Sequence, residues 1–527
     1  MIPMRTLTLI TAVVAIGTSS AVAQLPGDLD ITFSTDGFVT TEIQPPSWDN
    51  AMCMALQPDG RILVAGTSTP PQIGGSYVLA LARYMPDGTL DPSFDSDGKV
   101  TTAIGTMDDA LYAIAIQQDG KIVVGGSSFE NGSGYLFLVA RYNADGSLDS
   151  SFNGVGWRID DIGVGPEDRI FSIALQADEK IVVAGRASSG THEDMALARY
   201  NPDGSLDNTF SGDGIIVSSV GSGNDEAYGM VVQPNGRIVI AGFSGDGTDD
   251  DFTLARFDAD GALDPSFDSD GIVTTSFGPG IDRAFSIALQ PDGRIVAGGM
   301  ASNGPEINFA LVRYGTDGDL DLTFSDDGKT INGFSALCFA RSLALMPDGR
   351  ITIGGTSGYG FMVALYNADG TPDISFSGDG VQSTSIEDSY GNAVAVQTDG
   401  KILLAGTANF PSDLNHFAVV RYITSLNIDV LELGGTHQAP LIYPNPIGLN
   451  TTLEYELRSS ERITIRLEDL EGRTVKTYLN GTVQAAGPQR VALELSDAIA
   501  PGTYLLTISS AQGSASVQVV KELDRVG

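Results

Sequence analysis

Positive charge, cysteine and histidine are all scarce in this chain. Of 527 residues, 29 are Lys or Arg against 66 Asp or Glu, a formal net charge of −37. Phosphate recognition needs clustered basic side chains, so the composition excludes nucleic acid as a partner, and an anionic membrane surface with it. Two cysteines, Cys53 and Cys338, are too few for a disulfide framework. The three histidines, His192, His416 and His437, lack HExxH or any other ligand spacing, so no zinc centre is expected. There is no GxSxG elbow and no GxxxxGK[ST] phosphate loop. Beyond the first 23 residues, no stretch approaches the roughly 18 consecutive apolar residues of a membrane helix, so no transmembrane segment is expected.

What the chain has instead is repetition. QPDGRIVAGG at Gln290–Gly299 recurs, with small changes, at Gln57–Gly66, Gln117–Gly126, Gln176–Gly185, Gln233–Gly242, Met346–Gly355 and Gln397–Gly406. In all but one copy, Asp-Gly or Asn-Gly separates two apolar, β-branched runs. Such a pair readily takes the positive φ angles of a tight turn, so each copy predicts a β-hairpin. The exception is Asp178-Glu179-Lys180, which has no glycine and predicts a wider or strained turn.

Two further phrases keep step. One is a strand ending in Arg-Tyr or a relative: Arg83-Tyr84, Arg141-Tyr142, Arg199-Tyr200, Arg256-Phe257, Arg313-Tyr314, Leu365-Tyr366 and Arg421-Tyr422. The other is LDxxFxxDG, with its aromatic at Phe33, Phe94, Phe152, Phe210, Phe267, Phe324 and Phe376, at spacings of 61, 58, 58, 57, 57 and 52 residues. Four short strand signals per unit, seven times over, fit a closed ring, because closure removes exposed sheet edges. If the Gln-led hairpin is innermost and DGxVTT outermost, the strand at Phe33–Thr41 would complete the last blade, pairing Val39 with the strand that carries Tyr422. The competing assignment keeps all four strands of a blade in one sequence unit. Cys53 shares its column with Ala113, Ser172, Gly229, Ser286 and Ala393, a small-residue site, and Cys338 falls elsewhere in its own repeat. Both cysteines read as small and buried. Through LDxxFxxDG, QPDGKIVVAG and ARYNPDG, residues 28–425 resemble the delta-60 repeats of bacterial surface and secreted proteins. That resemblance implies architecture and little about activity.

The ends of the chain carry addresses. Arg5, the apolar Leu7–Ile16 and Ala21-Val22-Ala23 read as a secretory signal over 1–23, cut between Ala23 and Gln24. Residues 24–425 are assigned to the propeller, 426–440 to a linker, and 441–527 to a small Ig-like β-sandwich, since short alternating strands separated by turn residues follow Pro440. This last segment resembles the C-terminal sorting domain of the type IX secretion system. The matching residues are Tyr443-Pro444-Asn445-Pro446, LEDLEGRTV with Gly472, GTYLLTI from Gly502, and VQVVK closing at Lys521. The resemblance implies the type IX machinery as a partner and a location secreted or on the outer cell surface. Glu522–Gly527 run past the usual end.

The fold class expected is therefore all-β, a seven-bladed propeller followed by a sandwich. No catalytic or cofactor-binding residues emerge. Asp87, Asp91, Asp95 and Asp97, and again Asp260, Asp264, Asp268 and Asp270, are the best candidates for calcium, although Asp-Gly turns account for most of the pattern. Trp48, Trp157 and the loop aromatics Tyr77, Phe129, Tyr359 and Phe410 depart from the repeat and can pack at blade edges or meet a ligand. The function expected is non-catalytic binding of a protein or glycan. The alternatives are a secreted polysaccharide-degrading hydrolase or lyase, and a structural surface component. A clustered, non-repeating set of His, Tyr, Arg and carboxylates around one channel mouth would favour the enzyme, and a mouth lined by equivalent residues from every blade would favour binding or structure.

Overall fold

A computed structural model describes residues 24–69, 75–246, 248–303, 306–333, 338–410, 414–424, 441–443, 451–457, 460–469, 473–493, 499, 502–510 and 513–521. The chain divides into two compact units, Leu25–Ser425 and a C-terminal one from Leu426. The predicted cleavage residue Ala23, the linker, Pro444, Asn445, Pro446, Gly472 and His437 lie outside the described residues.

The first unit is a seven-bladed propeller. Strand β1 (Phe38–Thr41) precedes the first complete blade, which runs β2 (Trp48–Leu56), β3 (Ile62–Thr69), β4 (Val78–Tyr84) and β5 (Lys99–Thr102) in that order across its sheet. Five more four-stranded sheets repeat the order. The seventh combines Asp388–Val396, Ile402–Phe410 and Leu414–Tyr422 with β1. Val39 lies opposite Val419, one of four register pairs between β1 and the strand ending at Tyr422, so the ring closes by interlocking and the one-unit-per-blade alternative is excluded. The core lies between blades. Each of seven apolar clusters draws on two neighbours, as where Leu63 and Leu81 of blade one meet Leu111 and Leu138 of blade two.

The Arg-Tyr phrase couples each blade to both of its neighbours. Arg83, Arg141, Arg199, Arg256, Arg313 and Arg421 are buried, and each Nε lies 2.7–2.8 Å from the Asp of LDxxF. Each guanidinium also lies 4.5–4.9 Å from the ring centroid of the LDxxF phenylalanine. Its Nη1 donates to a backbone carbonyl in the next blade, such as Pro202 for Arg141 and, across the closure, Pro86 for Arg421. The adjacent tyrosine reaches the other way. Tyr84, Tyr142 and Tyr422 donate to Thr41, Thr102 and Thr384 at the ends of the preceding outer strands. Blade six carries Leu365 where the arginine belongs, and Arg350 holds Asp373 in its place at 2.8 Å.

The hairpin turns differ in detail from the sequence expectation. Gly60 alone has a positive φ, +85°, while Asp59 does not, and the Gly60 amide donates to the Gln57 carbonyl. Pro58 fixes the ordinary negative φ of a type I turn, so only the next residue is left-handed. The turn without glycine is strained rather than wider. Glu179 takes the glycine's place at φ +65° and makes the same hydrogen bond, to Gln176.

The second unit is described by itself. Leu441–Tyr443, Thr451–Leu457 and Gly487–Leu493 form one sheet. Thr474–Gln484, Glu461–Glu468, Gly502–Ser510 and Gly513–Lys521 form the other. Leu453, Leu457, Leu493, Ile465, Leu467 and Leu506 are among the buried residues that fill its core. The strand opening the YPNP segment, Leu441–Tyr443, went unpredicted because three residues give no periodicity to read.

Two outcomes test this account. Glu179→Gly relieves a left-handed non-glycine residue and is expected to raise stability by about 1 kcal/mol in urea unfolding. Asp149 gives the second. Burial alone would raise its pKa, but the Ser151 hydroxyl and amide together with Arg141 outweigh that and hold it at about 2. A carboxyl held low stabilises the fold at neutral pH, and this contribution is lost as pH falls from 3.8 toward about 2. Arg141→Gln is expected to move the Asp149 midpoint upward in an NMR titration. It should cost about 3–5 kcal/mol at pH 7, and the difference from the unsubstituted protein should shrink as the carboxyl protonates.

Candidate functional site

The seven innermost strands surround a central channel of about 710 Å³. Every one of them carries a β-bulge at the same place. The bulged residue, skipped by the pairing register, is Met52, Tyr112, Phe171, Tyr228, Phe285, Arg341 or Asn392. A bulge leaves one residue unpaired and re-aims its side chain. All seven line the channel.

The seven residues are not alike. Four successive blades supply a continuous aromatic belt. Tyr112 and Phe171 meet edge-on at 5.4 Å, Phe171 and Tyr228 stack at 4.6 Å, and Tyr228 and Phe285 meet edge-on at 4.9 Å between ring centroids. Arg341 ends the belt, its guanidinium carbon 4.9 Å from the Phe285 ring centroid. Asn392, on the far side, donates to the Ala51 carbonyl at 2.8 Å and lies against the Met52 sulfur.

Around the channel, three blades add charge. Arg169 and Arg186 share Glu167 at 2.9 and 3.2 Å. Arg186 also holds Glu226 at 2.9 Å, and Glu226 accepts the Tyr228 hydroxyl at 2.8 Å. Arg283 pairs with the buried Asp250 and lies 4.0 Å from the Phe243 ring centroid. Burial and the neighbouring Glu226 carboxylate push the Tyr228 phenol well up, so it stays protonated at neutral pH. Burial pulls the Arg341 guanidinium down from its ordinary value, with only the Tyr228 phenol opposing. Arg341 still opens onto channel solvent.

The residues singled out in the sequence fall elsewhere. Trp48, Tyr77 and Tyr359 are exposed, and Phe129 and Phe410 are half-buried. Trp48 starts an innermost strand, Tyr77 and Tyr359 lie in loops leading to third strands, and Phe129 and Phe410, expected in loops, end second strands, which places all five on one face of the ring. His416 packs 4.7 Å from Phe410, while His192 lies in an exposed loop. Trp157 begins an outer strand and packs against the cluster between blades one and two. Cys53 and Cys338 are free and buried. Of the aspartates weighed for calcium, Asp87, Asp91, Asp97, Asp264 and Asp270 are turned onto the chain itself. Asp91 accepts from the Ser93 amide and hydroxyl and from Arg83, while Asp87 and Asp97 accept from the amides of Thr89 and Lys99. Among the described residues, no group of three or more His, Cys, Asp or Glu side chains converges as a ligand set.

Sequence reasoning missed the belt. It noticed the small column of Cys53, Ala113, Ser172 and Gly229, which also lines the channel, but not the column just before it. The available signal was an aromatic or large residue lodged against those small ones: AMC, LYA, IFS, AYG, AFS, ARS and GNA.

Comparison with known proteins supports the architecture. Residues 57–94, 117–152, 176–210, 233–267, 290–324, 347–376 and 397–430 match the family described as a domain of unknown function (DUF5122) beta-propeller. Residues 441–522 match the secretion system C-terminal sorting domain. The chain is a seven-repeat propeller of the first family carrying a type IX sorting domain. It is therefore a secreted or cell-surface protein, and the secretion machinery is its implied partner. No curated protein matches the chain. Among solved structures, a protein of unknown function from Dyadobacter fermentans is 12% identical, with 73% of this chain and 98% of that one covered and a TM-score of 0.38. PorZ, a surface component of the type IX system of Porphyromonas gingivalis, is 12% identical over 90% of this chain and 70% of its own, at 0.33. The polysaccharide lyase Uly1 is 13% identical over 72% and 91%, at 0.42. Likenesses this loose do not bear on what the channel does. Among the described residues, no helix is long and apolar enough to cross a membrane.

Tyr228→Phe tests the network. It keeps the belt ring but leaves Glu226 short of a donor, and is expected to cost about 1–3 kcal/mol in urea unfolding.

Proposed function

We propose that the propeller is a binding protein for saccharides, with the channel as its site. The observation that carries this reading is the belt of Tyr112, Phe171, Tyr228 and Phe285 around a cavity of about 710 Å³. Sugar rings present flat C–H faces that pack on aromatic surfaces, and a cavity of this size admits a short oligosaccharide. The exposed Trp48, Tyr77 and Tyr359 on one face of the ring widen the apolar surface available there. The domain limits 24–425 and 441–527, with a signal peptide over 1–23, form part of the same proposal. They describe a carrier whose C-terminal segment addresses it outward while the ring meets ligand.

A second reading, a polysaccharide-degrading enzyme, draws support from one feature. Arg169, Arg186, Glu226, Tyr228 and Arg283 form a non-repeating set drawn from three adjacent blades. Against it, each of these groups already holds a partner. The Tyr228 phenol, raised by burial and by Glu226, is a poor base at neutral pH.

A glycan-array screen of the full chain, with mass spectrometry of each bound polysaccharide, separates the two. Retention without cleavage is expected, and Phe171→Ala should weaken it about tenfold or more. Breakdown products from the unsubstituted protein would establish the enzyme instead. Binding indifferent to Phe171→Ala would take the ligand out of the channel.

A further inference from the structure

The chain spends its few cations with economy. Every other described arginine of the propeller, from Arg61 to Arg421, lies within ion-pair distance of an Asp or Glu. Arg341 alone among them has no carboxylate partner, in a chain whose acidic residues outnumber its basic ones 66 to 29. Arg341 is solvent-exposed, but not on the outer surface of the ring. It projects from a bulge into the channel, at the end of the aromatic belt. A guanidinium there is partly desolvated, and its planar fork of donors is oriented by the ring beside it.

We propose that Arg341 is the anion-recognising group of the channel, and that its ligand is a saccharide bearing a carboxylate or a sulfate ester.

This inference rests on the reading of the channel as a saccharide site and narrows it to acidic sugars. The chemistry is complementary at both ends. The Tyr112–Phe285 belt receives the apolar faces of the pyranose rings. The Arg341 fork receives two anionic oxygens in parallel hydrogen bonds, the geometry in which Arg outperforms Lys. Arg169, Arg186 and Arg283 are not available for this role, because Glu167, Glu226 and Asp250 already neutralise them. Asn392 and Met52 complete the opposite wall with neutral groups, so no fixed negative charge among the seven bulged residues opposes an acidic ligand.

Calorimetric titration of the full chain tests this with three probes: an oligogalacturonate, its fully methyl-esterified counterpart, and an O-sulfated oligogalactan. At least one charged probe is expected to bind about 30-fold more tightly than the neutral ester, the loss that follows from removing a charge-assisted hydrogen-bond pair. Which of the two charged probes is preferred distinguishes carboxylate from sulfate. Arg341→Gln is expected to abolish the preference for the charged probe over the neutral ester. Arg341→Lys, which keeps the charge without the fork, should restore only part of it. Arg341 makes no hydrogen bond within the described residues, so its variants should melt with the unsubstituted protein, and a matched melting temperature is the control. Equal affinity for charged and neutral probes, still lowered by Phe171→Ala, would overturn this inference and leave saccharide binding standing. An acidic preference that survives Arg341→Gln would overturn it as well. Absence of any binding sensitive to Phe171→Ala would overturn both readings together.

Discussion

The fold depends on a buried guanidinium repeated around the ring. In six blades an arginine sits between the aspartate and the phenylalanine of LDxxF and reaches a backbone carbonyl of the next blade. Burying an ion without good partners is expensive, so this arrangement stands only because the carboxylate, the ring face and the carbonyl are all present together. It also fixes direction. The arginine binds forward and the adjacent tyrosine binds backward, to the outer strand of the preceding blade. Two neighbouring residues thus set the spacing of three blades. The same chemistry operates across the closure, where Arg421 pairs with Asp30 and reaches Pro86. Units of this kind can therefore join the two ends of the propeller without a disulfide.

With the periphery held this way, the ring centre is relieved of the task of holding the blades together. Each innermost strand departs from regular pairing at one residue, and that residue changes from blade to blade. The outer positions repeat because each must meet the same partner in the next blade. The bulged residues face a lumen instead of one fixed partner in the next blade, so Met, Tyr, Phe, Arg and Asn all fit the same backbone. Conserved scaffold positions and variable lumen positions are two results of one geometry.

This division also explains what was legible in the sequence. The repeats, the order of the strands and the interlocked closure could be read because they rest on local pattern: Gln-led hairpins, Arg-Tyr strands and evenly spaced phenylalanines. That Val39 pairs with the strand carrying Tyr422 followed from the order of those phrases, and the structure adds the register, Val39 opposite Val419. The turn chemistry was read one residue too generously, since Pro58 holds the turn in the type I form and leaves only Gly60 left-handed. The channel could not be read from any single unit. Phe171 in its own strand looks like another apolar residue. It becomes part of a belt only when Tyr112 and Tyr228 arrive from the blades on either side. The aspartates carried two readings from the start. Their clustering in sequence suggests a cation, yet Asp87, Asp91 and Asp97 each accept hydrogen bonds from amides two residues on, which is what such turns require.

The charge of the whole molecule and the charge of the channel answer different questions. A net charge of −37 repels polyanions approaching the outer surface, but at physiological salt that field decays within about 8 Å. Many of the acidic groups sit in turns at the rim of the ring, in contact with water and counter-ions. Within the channel, the walls are strands and aromatic rings, and the nearby arginines are already paired: Arg169 with Glu167, Arg186 with Glu226 and close to Glu193, Arg283 with Asp250. A single uncompensated guanidinium in such a setting governs the local potential more than dozens of screened carboxylates outside it. A small acidic ligand that fits the lumen meets Arg341 beyond the reach of that field.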